Sequence, residues 1–174
     1  GTGYGKINFV ANGISALGQA LYLNNDSEGD TTHVVIPGAE ALNPKGGNYT
    51  FEGWTNALRF QGFEPYWKKN PPIFGKPAQD PGLYSLMMHG QYHRLEFYSE
   101  FSGIGNIETG DNSVNLGEWV HFVVMLDSAN GSVGMLVHNA SGDLVTWDTG
   151  DYFPLDWPME DMTDLVIAPM SRYN

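Results

Sequence analysis

Apolar positions along this chain fall in short runs bounded by Gly, Pro, Asn or Asp, and the runs are rich in β-branched and aromatic residues. Such runs are the mark of strands. They predict strands over Lys6–Val10, Ala20–Leu23, His33–Ile36, Tyr49–Phe60, Leu83–His89, Arg94–Tyr98, Trp119–Asp127, Val133–Asn139, Leu144–Thr149 and Asp164–Ala168. Twenty-two glycines and ten prolines are scattered through the length, leaving almost no window for the roughly 10 to 12 residues of a typical helix. The runs His121–Asp127 and Val133–Val137 are largely apolar on both faces, which places them in the interior, whereas Arg94–Tyr98 alternates more cleanly. Between the first two, Asp127-Ser128-Ala129-Asn130-Gly131 is a tight hairpin turn, because Asn-Gly favours positive φ. A second hairpin is expected around His89-Gly90-Gln91-Tyr92-His93. Gly1–Gly5 reads as a flexible terminus. The stretch Gln61–Pro81, broken by Pro65, Pro71, Pro72, Pro77 and Pro81, reads as a long irregular loop of the functional or disordered kind.

Ten predicted strands without a repeat or a change of composition give an all-β fold class: one antiparallel two-sheet sandwich spanning residues 1–174. A chain of this length removes roughly 70% of its surface from water on folding, so it needs no covalent staple. With no cysteine, disulfides and thiolate metal sites are excluded. Twenty acidic residues against eight basic ones give a formal charge of −12, which repels a phosphate backbone or an anionic membrane surface. Nucleic acid is therefore excluded as a partner, and no run approaches the roughly 20 apolar residues of a membrane span. A start at Gly1 without methionine or leader gives the expectation of a domain excised from a longer protein with flanking domains. Four Asn-x-Ser/Thr sequons, at Asn25, Asn48, Asn130 and Asn139, carry little weight in an Asn-rich chain.

For chemistry, paired carboxylates come first. A glycosidase needs two at about 5–5.5 Å or about 6.5–9.5 Å, and on one strand Glu96 and Glu100 stand about 13 Å apart by the strand rise. Asp26-Ser27-Glu28-Gly29-Asp30 has alternating acids but reads as a loop, which suits Ca²⁺ with Asp26, Glu28 and Asp30 as oxygen ligands, or a plain solvated turn. Aromatic rings are the other asset, since sugars present C–H faces that pack on Trp and Tyr. Tyr66 and Trp67 in the long loop, Tyr92 and His93 at the hairpin tip, and Trp157 beside Pro158 are the candidate ligand-binding residues, each with the alternative of merely plugging a loop onto the sandwich. Trp54 and Trp119, between apolar neighbours, are assigned to the core. His89 and His93 have a spacing used for zinc on helices, but Gly90 and strand-like flanks remove the helix. No nucleophile elbow, phosphate loop or dinucleotide fingerprint occurs.

Taken in order, Gly18-Gln19-Ala20-Leu21, His33-Val34-Val35-Ile36-Pro37, Tyr49-Thr50-Phe51-Glu52-Gly53-Trp54, Gly117-Glu118-Trp119-Val120-His121-Phe122, Gly134-Met135-Leu136-Val137 and Asp164-Leu165-Val166-Ile167 resemble the laminin-G-like, concanavalin A-like lectin/glucanase family. The resemblance covers most of the chain, the 61–81 stretch and the short start before Gly18 departing from it. It implies a jelly-roll sandwich of a glycan-binding type found on bacterial surfaces, with Trp54 and Trp119 packing inward. It also implies a calcium ion to which Asp164, opening the last strand, adds its carboxylate. The function expected is a non-catalytic carbohydrate-binding domain of an extracellular or cell-surface protein. An adhesion or spacer module is the alternative, and a glycosidase whose acids meet only in the fold is the third reading.

Overall fold

The computed structural model describes residues 2–4, 6–11, 18–24, 32–39, 42, 48–58, 72–76, 84–98, 106–127, 132–149 and 164–167. Among these the strands are β1 (Thr2–Tyr4), β2 (Lys6–Ala11), β3 (Gln19–Asn24), β4 (His33–Ile36), β5 (Tyr49–Asn56), β6 (Pro72–Lys76), β7 (Tyr84–His89), β8 (Arg94–Tyr98), β9 (Asn106–Glu108), β10 (Trp119–Asp127), β11 (Ser132–Asn139), β12 (Gly142–Thr149) and β13 (Leu165–Ile167), with no α-helix. They form a seven-stranded sheet in the order β1-β4-β13-β6-β7-β8-β9, a four-stranded sheet in the order β12-β11-β10-β5, and a β2-β3 ribbon. Every pairing is antiparallel.

Strand alternation builds the core. Along β10, Val120, Phe122, Val124 and Leu126 are buried while the residues between them are half-buried. Val133, Met135 and Val137 of β11 join that inner row. Phe74, Tyr84, Leu86, Met88, Leu95, Phe97 and Ile107 of the seven-stranded sheet belong to the same apolar cluster, so the two sheets form an all-β sandwich. Phe51 of β5 ties the layers: its ring lies 5.2 Å from Phe74, 4.9 Å from Tyr84 and 6.3 Å from Phe97. Each such aromatic pair adds about 0.5–1.5 kcal/mol beyond area burial. Two glycines are set by close approach. A Cβ on Gly53 would meet the Phe122 ring at 2.8 Å, and one on Gly75 would meet Ser85 Cβ at 2.8 Å and the Tyr84 carbonyl at 3.0 Å.

The 109–118 segment joins one end of the two layers. Thr109 Oγ1 accepts the Leu95 N–H at 2.9 Å and shares a 2.6 Å hydrogen bond with Ser113 Oγ. Backbone N–H groups of Asn112 and Val114 donate to the carbonyls of Tyr92 and His93. On the other side, Asn139 Nδ2 donates to the Ser113 carbonyl at 2.6 Å and Gly117 N–H donates to Ala57. The β7–β8 hairpin is thereby anchored to the four-stranded sheet.

Three strands were not expected from the sequence. β6 lies inside the proline-rich 61–81 stretch read as a loop, yet it runs between β13 and β7. Pro72 is tolerated there because it is the first residue of the strand and the register shifts between Pro72 and Phe74. β1, read as a flexible terminus, pairs with Val35, Val34 and His33 of β4. β9 pairs with β8. The strand predicted over Tyr49–Phe60 ends at Asn56.

Candidate functional site

On β5 the odd residues face the core and the even ones, Thr50, Glu52, Trp54 and Asn56, form the outer row. β10 contributes Trp119, His121, Val123, Met125 and Asp127 to the same outer face, and β11 contributes Leu136 and His138. Register places His121 directly opposite Trp54 on one side and His138 on the other. The Trp54 and His121 rings stack at 4.6 Å between centroids, tilted by 31°. His121 Nε2 lies 2.9 Å from Glu52 Oε1, and since a carboxylate only accepts, the imidazole donates this bond. One indole face thus rests on an imidazole that is itself held by a carboxylate, and Trp54 remains 40% exposed. The Glu52 side chain is itself largely exposed. Toward the other end of the sheet the face closes, with Gly134 and Ser132 buried.

The assignment of Trp54 and Trp119 to the core is therefore corrected. Trp54 is exposed, and Trp119 is half-buried on the same outer row. The inward positions between their rows belong to Gly53 and Phe122, paired with each other. A usable sequence signal was present: Thr50, Glu52, Trp54 and Asn56 share one parity, and a polar row with a single Trp in it marks a solvent face. Asn56, at the end of that row, donates through Nδ2 to the Gly117 carbonyl at 3.2 Å, linking the rim to the 109–118 segment.

Tyr92 and His93 occupy the tip of the β7–β8 hairpin, as expected, His93 at φ 52°. The Tyr92 ring is engaged twice. His89 lies 4.8 Å from it, and the Arg94 guanidinium sits 4.6 Å from its centroid. Arg94 in turn pairs with Glu108 at 2.7 Å and Asp111 at 3.0 Å. His89 is buried, and desolvation, with the nearby Arg94 charge, lowers its pKa from the ordinary 6.5.

The fold also brings Glu96 of β8 opposite Glu108 of β9, on the face of the seven-stranded sheet away from the apolar core. Adjacent paired residues stand about 5 Å apart, but Glu96 is buried and Glu108 is held by Arg94. Asp164 is exposed, and its Oδ1 accepts the Gly38 N–H at 2.9 Å, tying the start of β13 to the segment after β4. Asp26, Glu28, Asp30, Tyr66, Trp67 and Trp157 lie outside the described residues. Among the described residues no three His, Asp or Glu side chains are grouped to hold a metal ion. In comparisons with known proteins, no family model matches the chain, and no curated protein or solved structure matches it.

Proposed function

We propose that this chain is a non-catalytic carbohydrate-binding domain with a concanavalin A-like jelly-roll arrangement, working in an extracellular or bacterial cell-surface protein beside flanking domains. The observation that carries the reading is the exposed Trp54 indole backed by the His121–Glu52 pair on the outside of the four-stranded sheet. A sugar packs its C–H face on such a ring, and its hydroxyls need fixed polar partners nearby. Here the ring is stacked on His121, so less side-chain freedom is lost on binding, and the exposed carboxylate of Glu52 accepts hydroxyl hydrogens. Among the described residues a binding role is favoured over hydrolysis because Glu96 is buried, Glu108 is occupied by Arg94, and Glu52 is engaged with His121. The order of motifs noted in the sequence supports the jelly-roll arrangement.

Calcium belongs to the same proposal at Asp26, Glu28 and Asp30, on the strength of their oxygen-ligand spacing. Asp164 would add its second carboxylate oxygen, Oδ1 being bonded to Gly38.

A glycan array probed with the purified chain, with calcium and with chelator, tests the reading against a Trp54→Ala variant. Binding by the parent chain that is lost in the variant supports it. Absence of binding to every glycan moves the assignment to an adhesion or spacer module.

A further inference from the structure

The four strands that build this face carry no lysine or arginine. On its outer rows stand Glu52 and Asp127, together with the two histidines His121 and His138. Glu52, exposed on the same row as Trp54, presents a carboxylate beside the point where a ring-bound sugar's substituents would lie. Arg94 is already bonded to Glu108 and Asp111 and lies over Tyr92, at the β7–β8 hairpin of the other sheet. The remaining described cations, Lys6 and Lys76, belong to the ribbon and to the seven-stranded sheet.

We infer that the ligand of the Trp54 face is an uncharged glycan. This inference rests on the carbohydrate-binding reading and narrows it to a chemical class. A uronate carboxylate or a sulfate stacked on Trp54 meets Glu52, and among the described residues no lysine or arginine stands on these four strands to neutralise it, whereas recognition of such groups ordinarily relies on Arg or Lys donors. The net charge of −12 adds long-range repulsion of polyanions at low ionic strength. A neutral hexose has hydroxyl donors that suit the Glu52 acceptor and a C–H face that suits the indole.

The test is calorimetric titration of the whole chain with soluble neutral polysaccharides (β-glucan, mannan, xylan) and acidic ones (polygalacturonate, alginate, chondroitin sulfate), at low and at physiological salt. Trp54→Ala and Trp54→Phe are run beside the parent chain, with thermal melts to establish that each is folded. The expected result is binding to at least one neutral polymer, weakened about tenfold or more in Trp54→Ala and partly retained in Trp54→Phe, with acidic polymers at least tenfold weaker even at physiological salt. Acidic polymers bound as tightly as neutral ones, with the same dependence on Trp54, overturn the inference and leave the carbohydrate-binding face standing. Binding indifferent to Trp54, or no binding at all, removes that face and the inference with it.

Discussion

Trp54 and Tyr92 are exposed to almost the same degree, 40% and 39%, yet their surroundings differ in kind. Tyr92 sits at a hairpin tip with His89 and Arg94 against its ring, and Arg94 spends its charge on Glu108 and Asp111. Its cation is engaged internally: the guanidinium lies over the ring and bonds both carboxylates. Among the described residues the Trp54 ring stacks on His121 alone, and the carboxylate that holds His121 is largely exposed. Equal exposure therefore says little about ligand binding. What distinguishes the two rings is that a guanidinium bonded to two carboxylates already lies over Tyr92, whereas Trp54 stacks on an imidazole held by one exposed carboxylate.

The sharpest way to break this comparison is to truncate each ring. Trp54→Ala is expected to reduce glycan affinity about tenfold or more, roughly 1.4 kcal/mol, while changing the melting temperature little, since its ring lies outside the core. Tyr92→Ala is expected to do the reverse, leaving affinity within about twofold and costing about 1–2 kcal/mol of stability as the contacts with His89 and Arg94 go. Titration calorimetry and chemical denaturation separate the two effects. Equal loss of binding in both variants would make the hairpin tip part of the ligand site.

A second variant acts from beneath the platform. Gly53→Ala puts a methyl group within 2.8 Å of the Phe122 ring, on the inner side of β5 between Glu52 and Trp54 in the chain. Displacing that ring is expected to cost about 1–3 kcal/mol, read as a lower denaturation midpoint. Arg94→Ala tests the hairpin end: it removes the Glu108 and Asp111 bonds and the contact with Tyr92, for about 1–2 kcal/mol. The Asp111 bond contributes least, because that carboxylate is more than half exposed.

The smallest effect is a pH dependence at the same hairpin. The folded chain holds His89 below its ordinary pKa of 6.5, chiefly through burial. Above that value the ring is neutral in both states and its contribution to stability is complete. As pH falls below 6.5 the unfolded chain takes up the proton first, and stability declines until the folded pKa is passed. Melting curves from pH 7.5 down to about 5 should show a decline that is shallower in His89→Gln. Identical slopes would mean that other groups carry the acid sensitivity.

The positions of Tyr92 and His93 at a hairpin tip could be read from the chain, because Gly90 and its neighbours form a local turn. Their partners could not, since Asp111 and Glu108 reach Arg94 only through the folded β8–β9 edge and the segment after it. Trp54 was misplaced for a related reason. β10 is apolar on both faces, so its sequence does not reveal which parity faces inward, and the polar row of β5 was the better guide. The β6 strand was hidden by its prolines, which are permitted at a strand start and beside a register shift but read locally as breaks.

By itself the sequence determined the all-β class, most of the strands and the absence of thiol chemistry, all of which follow from composition and from a two-residue period over short distances. Tertiary structure decided which side Trp54 takes, that Glu52 and His121 meet across 69 residues, that Glu96 meets Glu108, and that Asp164 holds Gly38 across 126. Those outcomes depend on strand register between segments far apart in the chain. Register is fixed by which apolar rows interlock in the shared core, and a shift of one residue would turn every side chain of a strand to its other face.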